Sequence, residues 1–412
     1  MPLTYNGSRA PLPTTSVKKL FHHADGLTRI IGGLIVIYDL VLFLLYLTFN
    51  PLIWFFDDNF VVENGLLHYV DFRPGYPPLG KLPYTLLYIF FRDHIPSIIY
   101  NIIVLDVVLY VLFKTLSNIT SLRRAAMLTI TAAINPIIIL ATICYNHADL
   151  LALLFMLLSI NALAKGKASR VGVYCGLGFL TKIYPAILLV PAFFKYNLKE
   201  KILLVSTFML SVTLVSLPFL MLDPSMYAST FAHHLLRGPS ESILALLDGY
   251  YSHTGFLHPT YEAAIYAWQF SKVYQPSSYD HFRYGWNNPY LKYIFSLLQA
   301  GLFLLFSLMF RKSLSGIESM KKASLTALVY FTLSAFWNPL VAIPVFLLII
   351  FSTLERGLIY QLLIITLFAI VDSLHFFLWS SGLPLDFKLS LIMVVSLRAT
   401  LLSTLFITCL HR

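Results

Sequence analysis

Charge is scarce in this chain. Of its 412 residues only 12% are Asp, Glu, Lys or Arg, whereas 58% are hydrophobic and the mean hydropathy is +0.76. A soluble domain carries about a quarter charged residues, so an ordinary globular protein wetted on all sides is excluded. Cysteine is also nearly missing. Cys144, Cys175 and Cys409 stand far apart in apolar surroundings, with neither a disulfide framework nor zinc-ligand spacing. Acidic residues are outnumbered 19 to 29 by Lys and Arg, giving a formal charge of +10. The basic residues fall in short connections between apolar runs, which reads as a topology signal and not as a nucleic-acid footprint. No internal repeat is evident, and the halves lack the inverted symmetry of many transporters.

What the chain does have is apolar runs of about 20 residues along its whole length, each long enough to cross a hydrocarbon core of roughly 30 Å. The expectation is an all-α polytopic integral membrane protein, because closed barrels show short alternating strands instead. Segments are placed near 30–50, 96–114, 124–143, 149–164, 171–181, 183–194, 202–221, 291–310, 323–337, 339–353, 357–379 and 389–409, about 12 in all. The stretch 171–194 is divided at "TKIYP", since proline cannot continue a helix and an ionised lysine avoids lipid. "FWNP" divides 323–353 in the same way. This division keeps Lys18, Lys19, Arg123, Arg124, Lys199 and Lys201 on one side. By the positive-inside rule that side is cytoplasmic, and both termini lie there. The membrane is the cell membrane, or the endoplasmic reticulum in a eukaryote.

Four regions follow: a cytoplasmic segment 1–29, a membrane module 30–245 with a long outer loop 51–95, a second long outer loop 222–290, and C-terminal membrane helices 291–412. Function is expected in the two long loops, where binding and chemistry usually sit on a rigid scaffold. The first contains "WFFDDNFVVENGLLHYVDFRPGYPPLGKLPY". Asp57 and Asp58 follow an aromatic helix end; partial desolvation would raise their basicity and suit them to take a proton from a hydroxyl, though an acidic pair there can also just mark the membrane boundary. Pro74, Pro77, Pro78 and Pro83 disfavour helix, so a stiff loop is expected over 71–84. The second loop is rich in aromatics, which stack on sugars and equally favour the headgroup layer. Asp39, Asp106 and Asp372 sit inside spans and read as structural, with Tyr38, Tyr100 and His375 as hydrogen-bond partners.

Several of these stretches carry a resemblance. "NGLLHYVDFRPGYPPLGKL", "YNHADLLALLFMLLSI", "GLGFLTKIYPAILLVPAFF" and "HHLLRGPSESILALL" occur in the order and approximate spacing of the GT-C superfamily. More narrowly they resemble the polyprenyl-phosphate-mannose-dependent mannosyltransferases related to the first mannosyltransferase of GPI-anchor synthesis. The resemblance spans residues 30–245. It implies a GT-C fold with two long extracytoplasmic loops, a polyprenyl- or dolichyl-phosphate sugar donor, and a lipid-linked or glycan acceptor at the outer leaflet. It also implies a loop aspartate as base, so Asp58 or Asp57 would be catalytic.

The chemistry fits such residues. The acceptor hydroxyl attacks the anomeric carbon while polyprenyl phosphate leaves from the opposite face, so the sugar inverts. One carboxylate takes the proton, and cations meet the charge growing on the phosphate. Arg237, Lys182 and His234 are the candidate donor phosphate-binding residues. Asp149, Glu241, Asp71 and Tyr76 are the candidates for acceptor or sugar binding. Each has a plainer reading. Lys182 can snorkel at a helix end, Arg237 can pair with Glu241 four residues on along one helix face, and Asp149 can cap the helix it precedes. The leaving group bears a single phosphate, so no metal and no other cofactor is expected. Two other classes stay in play: a non-catalytic GT-C-like subunit of a glycolipid- or GPI-processing complex, and a lipid or sugar transporter.

Overall fold

The computed structural model describes residues 33–48, 61–71, 74–143, 148–236, 239–249, 288–308, 316–335, 337, 339–380 and 387–410. Every regular element among them is a helix. Two compact units are distinguished, residues 1–50 and 51–412. The first contributes α1 (Gly33–Thr48), whose last hydroxyl, on Thr48, folds back to the Leu44 carbonyl at 2.8 Å.

The second unit runs through α2 (Pro78–Phe91), α3 (Ile95–Ser117), α4 (Leu122–Ala133), α5 (Pro136–Ile143), α6 (Asp149–Ala164) and α7 (Ala168–Thr181). A 3-10 turn (Tyr184–Leu188) leads into α8 (Leu189–Lys195), then α9 (Leu198–Leu222), α10 (Pro224–Leu236) and α11 (Ile243–Asp248). After these come α12 (Pro289–Leu308), α13 (Gly316–Thr332), α14 (Ala342–Ser352), α15 (Leu358–Ser380) and α16 (Phe387–Leu410).

Among the described residues four helices have the length and apolarity to cross a bilayer: Ile95–Ser117, Leu198–Leu222, Tyr290–Leu308 and Leu389–Cys409. A fifth span results if α4 and α5 are one helix bent by 51°. The bend has a cause: Pro136 brings no N–H, and the Asn135 side chain takes the Ile137 amide at 2.9 Å instead. Other expected segments correspond to shorter apolar helices, including Asp149–Ala164, Tyr184–Lys195 and Ala342–Ser352. α14 is apolar on all faces and every one of its residues is buried, so it lies in the interior of the helical assembly.

The break at "TKIYP" forms as the sequence requires. α7 ends at Thr181, Lys182 is extended (φ −150°, ψ 146°), and Pro185 opens the next turn. The chain then folds back on α7, because Gly178 leaves room for Pro185: a Cβ on Gly178 would lie 2.5 Å from the proline's own Cβ. α7 also packs along α9. There Gly172 and Gly176 admit the other helix so closely that a Cβ on Gly172 would sit 2.3 Å from the Leu204 carbonyl oxygen. α9 itself starts on a reciprocal cap, with Asn197 Oδ1 accepting from the Glu200 amide and Glu200 Oε2 from the Asn197 amide.

The proline-rich loop differs from expectation. α2 begins at Pro78 and contains Pro83, so half of the segment 71–84 is helical. Pro78 occupies the first helical position, where a missing N–H forfeits nothing. Pro83 gives up one intrahelical bond, and packing holds the helix around it: the Tyr84 hydroxyl donates to Asn101 Oδ1 at 2.7 Å, and its ring meets Tyr100 edge-on at 5.6 Å. The Tyr88 hydroxyl donates to Glu63 Oε1 at 2.5 Å, which ties α2 to the loop before it. That carboxylate, with burial adding to it, raises the phenol above its ordinary pKa.

Candidate functional site

Three of the motifs read from the sequence meet at one place. The Tyr76 carbonyl accepts from the Tyr69 hydroxyl at 2.7 Å. Tyr69 itself is fully buried, holds a left-handed backbone (φ 65°), and packs its ring on Phe219 and Tyr227. A bulky residue takes that conformation only where its surroundings impose it. The result is a fixed position for Tyr76 at the end of the loop. The first turn of α2 then presses against the end of α7, because Gly80 has no side chain: a Cβ there would stand 2.5 Å from the Thr181 carbonyl oxygen.

Lys182 follows at once, and its Nζ lies 2.5 Å from Asp149 Oδ1. Asp149 is the first residue of α6 and is fully buried, and its second oxygen, Oδ2, has no hydrogen-bond partner among the described residues. Helix capping is therefore not its task; Ala148 holds the N-cap position. Snorkelling does not describe Lys182 either, since its head turns inward to a carboxylate. Tyr184 closes the group, its hydroxyl 3.4 Å from the Asp149 carbonyl oxygen and its ring edge-on to Phe331.

A second lysine joins from α2. Lys81 is 1% exposed, and its Nζ lies 5.8 Å from the centre of the Tyr76 ring, while that of Lys182 lies 5.3 Å from the same ring. Among the described residues, two ammonium groups and one buried carboxylate gather around Tyr76. Ammonium groups are what an anionic phosphate would meet there, and low-dielectric surroundings strengthen such contacts. Lys81 was not singled out from the sequence. Its signal was there, a lone lysine in the apolar helix that "PPLGKL" begins, three residues beyond the Pro-Pro pair.

The remaining expectations are distributed differently. Asp71 Oδ2 accepts from the Leu67 amide at 3.0 Å, so that side chain closes a loop turn. Glu241 does not lie on α10. α10 ends at Leu236, and Glu241 sits in a separate left-handed turn (φ 50°) with a buried side chain. Asp57, Asp58 and Arg237 lie outside the described residues. His234 is on α10, but its side chain is outside them too. Asp372 Oδ1 accepts from Trp337 Nε1 at 3.2 Å and from Arg398 Nε at 2.8 Å, and the side chain of His375, the partner expected for it, lies outside the described residues. Arg398 is the residue the sequence reading missed, although a single arginine in an apolar run is the natural counter-charge for a buried aspartate.

Comparison with known proteins adds a family likeness. The model of glycosyltransferase family 87 matches residues 75–273, a region that holds Tyr76, Lys81, Asp149, Lys182 and Glu241 and begins after Asp57 and Asp58. No curated protein matches the chain. Among solved structures, the crystal structure of ArnT from Cupriavidus metallidurans bound to undecaprenyl phosphate aligns with 15% identity over 92% of this chain and 76% of that one. Its TM-score is 0.40, and no part of the site rests on it. The family match covers a little under half of the chain and takes in the stretches that hold Asp149, Lys182 and Glu241, so over that segment the chain is similar to glycosyltransferase family 87.

Proposed function

We propose that the chain is an inverting enzyme that moves a hexose, mannose in the first instance, from a polyprenyl or dolichyl phosphate to a lipid-linked or membrane-proximal acceptor on the extracytoplasmic face. The observation that carries this reading is the pair of lysines flanking Tyr76 beside the buried carboxylate of Asp149. Charge that grows on a departing phosphate is stabilised by cations already held in place. Lys182 serves as a point charge whose position Asp149 fixes, and Lys81 supplies a second. Asp149 Oδ2, buried and with no hydrogen-bond partner among the described residues, is suited to accept from a hydroxyl of the sugar or the acceptor. Arg237 and His234 are proposed to complete the phosphate contacts, Asp58 or Asp57 to take the acceptor's proton, and Glu241 to bind hydroxyls. Side-chain cations do the work that a metal does for nucleotide-sugar diphosphates, so no cofactor enters.

The test is a transfer assay. Purified protein with polyprenyl-phosphate [³H]mannose and a membrane lipid extract is expected to release polyprenyl phosphate and label a lipid. Either Asp57→Asn or Asp58→Asn is expected to abolish labelling. Full turnover in both variants contradicts the assignment of the base, and no labelling by the unaltered protein contradicts the donor class.

A further inference from the structure

A second buried cluster lies where the C-terminal helices reach the Glu241 turn. Arg398, on α16 and 4% exposed, donates from Nη1 to the Glu241 carbonyl oxygen at 3.0 Å. Its Nε and Nη2 meet Asp372 Oδ1 on α15 at 2.8 and 2.6 Å, and its guanidinium lies over the Trp337 ring, 4.3 Å from the centre. Trp337 Nε1 donates to the same Asp372 oxygen. The turn is held from the other flank as well: the Ser240 amide donates to the Ala335 carbonyl at 2.9 Å, the Trp337 amide to the Ser240 carbonyl at 2.8 Å, and the Ser242 hydroxyl to Ala335 at 2.6 Å.

We propose that Arg398, oriented by Asp372 and Trp337, is a positioning residue for transfer, acting through the backbone of Glu241. The inference rests on the proposed role of Glu241 in binding hydroxyls. Three independent features point to it. Glu241 occupies a left-handed conformation that costs a side-chain-bearing residue energy and persists only when its surroundings over-determine it. A fixed guanidinium on the Glu241 carbonyl is such a determinant, because a bond from a charged group is stronger than a neutral one. And Trp337, Asp372 and Arg398 all lie beyond residue 273, outside the family-matched segment that contains Glu241. The C-terminal helices thus set the geometry of a residue that the matched segment supplies.

The experiment uses full-length protein in detergent, with Arg398→Lys, a charge-free Asp372→Leu/Arg398→Met pair, Glu241→Gln and Glu241→Gln/Arg398→Lys. Arg398→Lys keeps the charge and loses the fork; the apolar pair removes both buried charges together and so avoids leaving one unpaired. In both, kcat for mannosyl transfer is expected to fall roughly tenfold or more with the melting temperature near that of the unaltered protein. Arg398→Lys added to Glu241→Gln is expected to cost no further activity, since residues acting as a unit are not additive. Amide hydrogen exchange over 240–245 is expected to quicken in Arg398→Lys. Unaltered kcat in the two Arg398 variants, multiplying losses in the double variant, or a fully active Glu241→Gln overturns the proposal. Should the unaltered protein transfer nothing, the donor reading fails by itself, and unchanged exchange over 240–245 in Arg398→Lys then refutes the positioning role on its own.

Discussion

Lys182 and Asp149 make a pair whose members stabilise each other at unequal exposure. The carboxylate is fully buried and the lysine side chain is 15% exposed. Taking away one partner strands a charge in a low-dielectric interior, a loss of about 3–5 kcal/mol. Lys182→Met is therefore expected to lower thermal stability by that amount, whereas Asp149→Asn/Lys182→Met recovers most of the stability and none of the activity. Thermal unfolding followed by circular dichroism, beside the transfer assay, checks both halves. Recovery of activity along with stability would make the pair a structural brace only. At this scale the sequence was informative about residue type and less so about partner. "TKIYP" and "HADLL" each announce a polar residue that lipid would reject, so Lys182 and Asp149 stood out. That the two satisfy each other depends on helices 33 positions apart in the chain, which no local pattern encodes. The same holds for Asp372 and Arg398, which lie 26 positions apart.

At the scale of elements, small residues decide how closely helices approach. Gly172 and Gly176 repeat every four positions on α7, and α9 crosses at that stripe with the Leu204 carbonyl and the Thr207 and Ser211 side chains against them. Gly172→Ala puts a methyl against backbone that cannot rotate away, and overpacking of this kind costs about 1–3 kcal/mol. Gly75→Ala meets nothing within 4 Å and is expected to leave the melting temperature unchanged. Equal melting temperatures for the two variants would show that α7 and α9 can part without cost. Helix breaks were legible because proline and asparagine act locally: α7 stops before "KIYP", and α5 starts at Pro136. The helix in the proline-rich loop was not legible. Pro78 and Pro83 argue against a helix locally, and the bonds from Tyr84 to Asn101 and from Tyr88 to Glu63, which hold it, come from outside the segment.

For the molecule as a whole, composition and the long apolar runs pointed to a helical membrane protein, and three of the four quoted motifs fall largely or wholly within the segment that the model of glycosyltransferase family 87 matches. The number of crossings was less accessible, since short apolar helices such as α14 are buried inside the assembly and carry the same hydropathy as a span. The proposed chemistry makes a prediction at this scale. Side-chain cations receive the phosphate, so chelation with EDTA is expected to leave the mannosyl transfer rate unchanged. A rate that collapses on chelation and returns with Mg²⁺ would replace the lysines by a metal in that role.

The central claim is that Lys81 and Lys182 receive an isoprenoid phosphate over Tyr76, and equilibrium binding of polyprenyl phosphate to the purified protein in nanodiscs measures this directly. Each of the folded Lys81→Gln and Lys182→Gln variants is expected to bind about tenfold more weakly than the unaltered protein, the loss of one bond to a charged group. Affinity equal to that of the unaltered protein in both variants would contradict it.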